Sequence, residues 1–319
     1  MNKTIWLAVA FAVAVQALPA SRAGAEDLGG ADLTAPPPVT EESVPAVLSG
    51  TLKKVHDSGA LVMGYREASF PFSFVGQGAE QPFGYSIDLC RGIVEEIARE
   101  LGGAAIRVDF APVTSDTRME AVASGKVDLE CGSTTSNAER QQTVAFSPII
   151  YVAGTKLLVK RASGIASYRD LGGRTLVVTS GTTNEAAMKQ LNAKYKLGIT
   201  IVSARDHDAS YAMLADGKAD AFATDDVLLY GFIVARKAAA AMTVVGDFIT
   251  YEPYGIMFRK DDPLMAAAVT RAFLAMAQRR ALADTYRKWF LQPGPNGEVL
   301  NLPMSAQLSE VFRSLGEEE

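Results

Sequence analysis

Met119–Asp128 reads M-E-A-V-A-S-G-K-V-D, and Tyr211–Asp220 reads Y-A-M-L-A-D-G-K-A-D. In each, a helical run is stopped by a glycine, and Lys-x-Asp then leads into an apolar strand. G-K-x-D alone is a common turn between a helix and a strand. Here, however, each copy runs on into a loop of small polar groups. The first is Cys131-Gly132-Ser133-Thr134-Thr135 and the second Thr224-Asp225-Asp226. Open α/β sheets bind ligands at the C-terminal ends of their strands, where such loops emerge. Two copies of one helix–strand grammar, each ending in a polar loop, predict two α/β lobes facing a cleft.

Outward from the first copy, strands are expected at Ala60–Tyr65, Ile106–Phe110 and Val127–Glu130. Ile87, Leu89, Ile93, Val94, Ile97 and Leu101 recur at helical spacing between them, and a further helix is expected over Arg118–Ser124. Around the second copy the alternation returns: strands at Thr175–Thr179, Ile199–Ser203 and Ala219–Ala223, helices at Glu185–Tyr195 and Ala209–Ala215. Tyr254–Arg259 reads as one more strand, followed by helices at Ala266–Gln278, Ala281–Phe290 and Ala306–Leu315. These last elements are amphipathic and need a surface, which the first lobe offers. The expected division is therefore lobe 1 over 52–153, lobe 2 over 154–249, and a return to lobe 1 with the tail over 250–319. The chain crosses between lobes after Tyr151-Val152-Ala153 and again near Thr250-Tyr251, so a hinge is expected there.

The 319 residues carry 31 Lys+Arg against 36 Asp+Glu, a net charge of −5, and 48% of them are hydrophobic. This is globular composition, and mild acidity speaks against a nucleic-acid partner. Two histidines and two cysteines cannot complete a four-ligand zinc site without carboxylates, so neither a metal nor a cofactor is expected. Residues 1–25 form a signal peptide: Lys3, an apolar run from Ile5 to Leu18, then Ala23-Gly24-Ala25 as the cleavage site. Residues 26–51, with Ala35-Pro36-Pro37-Pro38, read as a flexible tether. The mature chain is expected to be soluble and periplasmic. Export and an even cysteine count favour a Cys90–Cys131 disulfide, with two buried thiols as the alternative.

No nucleophile elbow, P-loop, dinucleotide fingerprint or H-E-x-x-H is present. Gly76-Gln77-Gly78 is a turn, and His56 reads as a solvated residue in a polar segment. The loops instead hold charge. Ser180-Gly181-Thr182-Thr183-Asn184-Glu185 leaves a strand and opens a helix, whose free N–H groups suit a carboxylate. Arg140 can clamp the same carboxylate bidentately, and Asp225 can accept from an ammonium. Together these describe the head group of an α-amino acid. Singly, Thr182 or Thr183 could be a helix cap, Arg140 a surface ion pair and Asp225 a helix start.

Several segments then resemble one family in its own order. They are Gly64-Tyr65-Arg66-Glu67, Gly84-Tyr85-Ser86-Ile87-Asp88-Leu89, Glu130 to Thr135, Thr179 to Thr183, Asp206-His207, Asp225 to Leu229, Lys288-Trp289-Phe290 and Asn301-Leu302-Pro303. From Leu52 to Phe312 the chain is similar to the glutamate/aspartate-binding proteins of bacterial amino-acid ABC importers, within extracellular solute-binding protein family 3. Ser86 stands where the wider family prefers an acid, and it reads as a structural position. The resemblance implies a type II periplasmic-binding-protein fold, a monomer, permease subunits as partners, and no catalysis. It implies that Arg140 and the Thr135 and Thr183 amides hold the α-carboxylate, that Ser133 and Asp225 take the ammonium, and that Arg66, Arg118, Ser115 and His207 meet the side-chain carboxylate of L-glutamate or L-aspartate. Three arginines against one aspartate make a cationic pocket by this count. The rival readings are an exported enzyme on the same fold, such as a cyclohexadienyl dehydratase, a sensor or receptor module of that fold, and a binding protein for another polar amino acid such as glutamine.

Overall fold

A computed structural model of the protein describes residues 47–317, apart from Gln77, Pro295, Asn296 and Glu298. Residues 1–25, expected as a signal peptide, and residues 26–46 of the expected tether lie outside the described residues. Helix α1 (Gly50–Ser58) opens two residues before the expected start of the folded body, and the Thr51 amide donates to Asp262 across the lobe.

The first half of lobe 1 continues with β1 (Ala60–Tyr65), the short strands β2 (Ala68–Ser69) and β3 (Ser73–Phe74), α2 (Tyr85–Glu100), β4 (Arg107–Pro112), α3 (Arg118–Ala123), β5 (Leu129–Glu130) and β6 (Val144–Phe146). Strand β7 (Tyr151–Ala153) then leads into the second lobe. That lobe contains β8 (Thr155–Lys160), β9 (Thr175–Thr179), α4 (Thr183–Tyr195), β10 (Thr200–Ala204), α5 (His207–Ala215), β11 (Ala221–Asp225), α6 (Asp226–Ala235) and β12 (Met242–Val245). The chain returns through β13 (Glu252–Tyr254) to β14 (Met257–Arg259), α7 (Pro263–Gln278), α8 (Ala281–Phe290) and α9 (Ala306–Ser314).

The two main sheets share one plan. Their strand orders are β4-β1-β5-β14-β6 and β10-β9-β11-β8-β12. In each, the first three strands are parallel and the fourth and fifth run antiparallel to their neighbours. The G-K-x-D echo has one structural meaning in both. Gly125 and Gly217 each sit at φ +75°, ending the helix in a left-handed turn. Asp128 then accepts from the Val62 amide of β1 at 2.8 Å, and Asp220 from the Thr175 amide of β9 at 2.8 Å. Each aspartate thereby sets the register of the incoming strand against its parallel neighbour.

Central strands buried on both faces read as continuous apolar runs. In lobe 2, Leu157, Val159, Leu176 and Val178 point into one core, while Leu158, Val177 and Phe222 point into the other. The lobe 1 core takes in α7, α8 and, from the tail, Leu308 and Phe312, so the C-terminal elements cover the first lobe. The run expected as a single strand at Tyr254–Arg259 is two: Gly255 and Ile256 separate β13 from β14. β13 pairs antiparallel with β7, with Tyr254 opposite Tyr151, and these two strands carry the chain between the lobes. Phe72 packs against Tyr151, Tyr254 and Phe290 at this crossing.

Candidate functional site

All nine residues singled out in the sequence lie at strand ends or on the loops and helix starts that follow them. Arg66 follows β1, Ser115 and Arg118 follow β4, and Ser133, Thr135 and Arg140 follow β5. From lobe 2, Thr183 opens α4 after β9, His207 opens α5 after β10, and Asp225 ends β11. This is the end of a parallel sheet at which its loops can converge on a ligand. The lobes meet here. Ser180 donates to Asp116 across the boundary at 3.0 Å, and Arg66, Arg118 and His207 are each only 2% exposed. Beside Arg140 and Thr183 a cleft of about 460 Å3 opens between residues 137–143 and 181–189.

Arg118 is oriented by the loop it faces. Its Nη1 donates to the Thr134 hydroxyl at 2.6 Å and to the Ser133 carbonyl at 3.3 Å. Thr134 passes the interaction on, donating to Glu130 Oε2 at 2.6 Å. Arg118 Nε, Arg66 Nη1, Ser115 Oγ, Ser133 Oγ and Glu130 Oε1 are buried without a hydrogen-bond partner among the described residues. Burial and the neighbouring Arg118 pull the Arg66 guanidinium down to about 9, so it stays charged at neutral pH. Burial also lowers Arg118, and Glu130 opposes that shift. His207 bonds through Nδ1 to Thr179 Oγ1 at 2.8 Å. Its own burial, then Arg66 and Arg118, hold the imidazole well below its ordinary value, and it is neutral.

The other side of the site carries carboxylates. Asp225 accepts from Asn184 Nδ2 at 2.7 Å and from the Tyr254 hydroxyl. Burial and then Glu252 push its carboxyl up to about 7, against the lowering effect of those two donors. Glu252 accepts from the hydroxyls of Thr135 and Thr183, both at 2.7 Å. Arg140 donates to the Thr135 carbonyl at 2.9 Å, and burial and then Arg118 bring it down to about 10.

Glu130, Glu252 and Tyr254 were not among the residues singled out. With them the charge count changes: Arg66, Arg118 and Arg140 face Asp225, Glu130 and Glu252, so the pocket is not cationic by formal charge. What distinguishes it is polarity. Arg66, Arg118 and neutral His207 lie together with Glu130 at one side, while Asp225 and Glu252 lie with Tyr254 and near Arg140. Such a site can orient a dipolar ligand through charge-assisted hydrogen bonds. A disulfide joins Cys90 of α2 to Cys131, the first residue of the loop that carries Ser133 and Thr135. Ser86 of α2 braces the same loop, donating to the Gly132 carbonyl at 2.8 Å.

The L-glutamate/L-aspartate-binding protein of Pseudomonas aeruginosa is 42% identical over 268 residues, 84% of this chain and 89% of that one. The glutamate/aspartate import solute-binding protein of Salmonella typhimurium is 40% identical over 276 residues, 86% of this chain and 89% of that one. Among solved structures, an ancestral amino acid-binding protein, a precursor of cyclohexadienyl dehydratase, aligns with a TM-score of 0.64 at 30% identity. The alignment covers 75% of this chain and 99% of that one. A family model for bacterial extracellular solute-binding proteins, family 3, matches residues 61–292. With lobe 2, both crossings and most of lobe 1 inside that match, the chain belongs to the family 3 solute-binding proteins.

Proposed function

We propose that this chain captures an acidic L-amino acid, glutamate or aspartate, in the periplasm and delivers it to the permease subunits of an ABC importer. Residues 1–25 are its export signal, and it acts as a monomer whose lobes hinge closed over the ligand. In this reading Arg140, with the Thr135 and Thr183 amides at the start of α4, holds the α-carboxylate. Asp225 and Ser133 take the ammonium, while Arg66, Arg118, Ser115 and His207 take the side-chain carboxylate. The names of the relatives support the ligand class. The observation that carries the assignment to this site is the pair of buried guanidiniums whose Arg66 Nη1 and Arg118 Nε have no acceptor among the described residues. A buried charged donor is costly unless something accepts from it, and a second carboxylate would do so.

The equal count of guanidiniums and carboxylates favours a second reading, a neutral polar amino acid such as glutamine. Identifying by mass spectrometry what a denatured sample releases separates the two. Glutamate or aspartate, recovered unchanged, is the expected result. Glutamine as the main species overturns the acidic assignment, and a dehydrated product would indicate an enzyme.

A further inference from the structure

Glu252 lies on β13, one of the two strands that link the lobes, and is only 2% exposed. A carboxylate that deeply buried needs donors, and it finds two hydroxyls on one oxygen, Thr135 and Thr183, each at 2.7 Å from Oε2. Those hydroxyls are themselves 3.4 Å apart. The two contacts are not equivalent. Thr135 forms an antiparallel bridge with Tyr254, two residues from Glu252, so it stays with β13 whatever the lobes do. Thr183 is the first residue of α4 and travels with lobe 2. Of the two bonds to Glu252, the Thr183 one spans the boundary. Arg140 is the nearby cation, and the Glu252 charge favours its charged form.

We infer that Glu252 is a positioning residue, a latch on the hinge strand that fastens the N-terminus of α4 against the Thr135 loop and so holds the lobes together. It does so without touching the ligand. Resting on the proposed function, the latch also sets the spacing of the Thr135 and Thr183 amides that hold the α-carboxylate. Because a charged acceptor makes a hydrogen bond roughly twice as strong as a neutral one, Glu252→Gln weakens the latch while keeping its shape. Thr183→Val removes the donor and leaves the amide.

The test is a double-mutant cycle on the full chain with L-glutamate as probe, read by calorimetry, together with small-angle scattering of the ligand-free proteins. Each single variant is expected to weaken glutamate by about tenfold. The double variant should be no more than about twofold worse than either single one, since both remove one bond. The ligand-free radius of gyration should rise in all three. Thr135→Val is the control for folding and local polarity: it breaks a bond inside lobe 1 and should leave that radius unchanged. Single losses that multiply in the double variant overturn the latch, as do wild-type radii in every variant. If Glu252→Gln does not fold, the contrast in radius between Thr183→Val and Thr135→Val decides alone. A protein that ignores glutamate but still expands in Thr183→Val refutes the ligand assignment and leaves the latch standing.

Discussion

Arg118 commits Nη1 to Thr134 and Ser133 and leaves Nε buried and unpartnered, whereas Arg140 is half-buried beside the open cleft. Their losses should therefore differ in kind. Truncating one member of a buried charge pair costs about 2–5 kcal/mol, so Arg118→Ala should weaken glutamate by roughly 30-fold to several thousand-fold. Glutamine, which presents no distal charge, should lose far less. Arg140→Ala should weaken glutamate, aspartate and glutamine alike, because it acts on the shared head group. Equal losses for glutamate and glutamine in Arg118→Ala would show that this residue does not read the side chain. Asp225 makes a pH prediction. Its carboxyl is pushed up to about 7 by burial and by Glu252, and an ammonium beside it would favour the charged form. Binding must then release a proton below that value. Glutamate affinity should be flat above pH 7 and fall as the pH drops below it, by up to about tenfold per unit. Calorimetry across pH checks this, and Asp225→Asn should remove the slope. A constant affinity from pH 5 to 8 contradicts the role given to Asp225.

The loop after β5 is held from two directions, by the Cys90–Cys131 bond and by the crowding around Gly132. The disulfide closes a span of 41 residues. Opening it should lower unfolding stability by roughly 2–4 kcal/mol, read by denaturant titration with and without reductant. A methyl group at Gly132 would lie 2.3 Å from Glu130 Oε1 and 2.8 Å from Arg66 Cγ. Gly132→Ala should thus cost about 1–3 kcal/mol in stability, and it should also weaken glutamate by displacing Arg66. Unchanged affinity in a folded Gly132→Ala would separate Arg66 from the ligand. At this scale much of the architecture was legible. The two G-K-x-D stretches marked strand entries because the glycine ends the helix and the aspartate pairs with the neighbouring strand there. The Tyr254–Arg259 run was misread because its apolar content continues through Gly255 and Ile256, where the chain passes from the β7–β13 crossing to the lobe 1 sheet. Local pattern does not record which sheet a strand joins.

Across the whole molecule, Arg140, Thr183 and Asp225 could be named for an amino-acid head group because strand ends at polar loops are visible in sequence, whereas Arg66, Ser115 and Arg118, and the side-chain role given to them and His207, came from the family resemblance. Glu130 and Glu252 could not be read the same way. Glu130 sits at the end of an apolar strand, and Glu252 precedes a proline in an unremarkable turn-like stretch. The partners of Glu252 are 117 and 69 residues away, so its burial exists only once the two lobes have folded and met. Those carboxylates turn a simple count of charge into a question of placement: Glu130 lies on the Arg66 and Arg118 side of the site, and Glu252 lies near Arg140. The most direct test is calorimetric titration of the protein, stripped of bound ligand, with L-glutamate, L-aspartate and L-glutamine at one pH and salt concentration. Glutamate or aspartate should bind at least about 30-fold more tightly than glutamine, the lower bound for losing a buried charge partner. Glutamine binding as tightly as either acid would contradict the account.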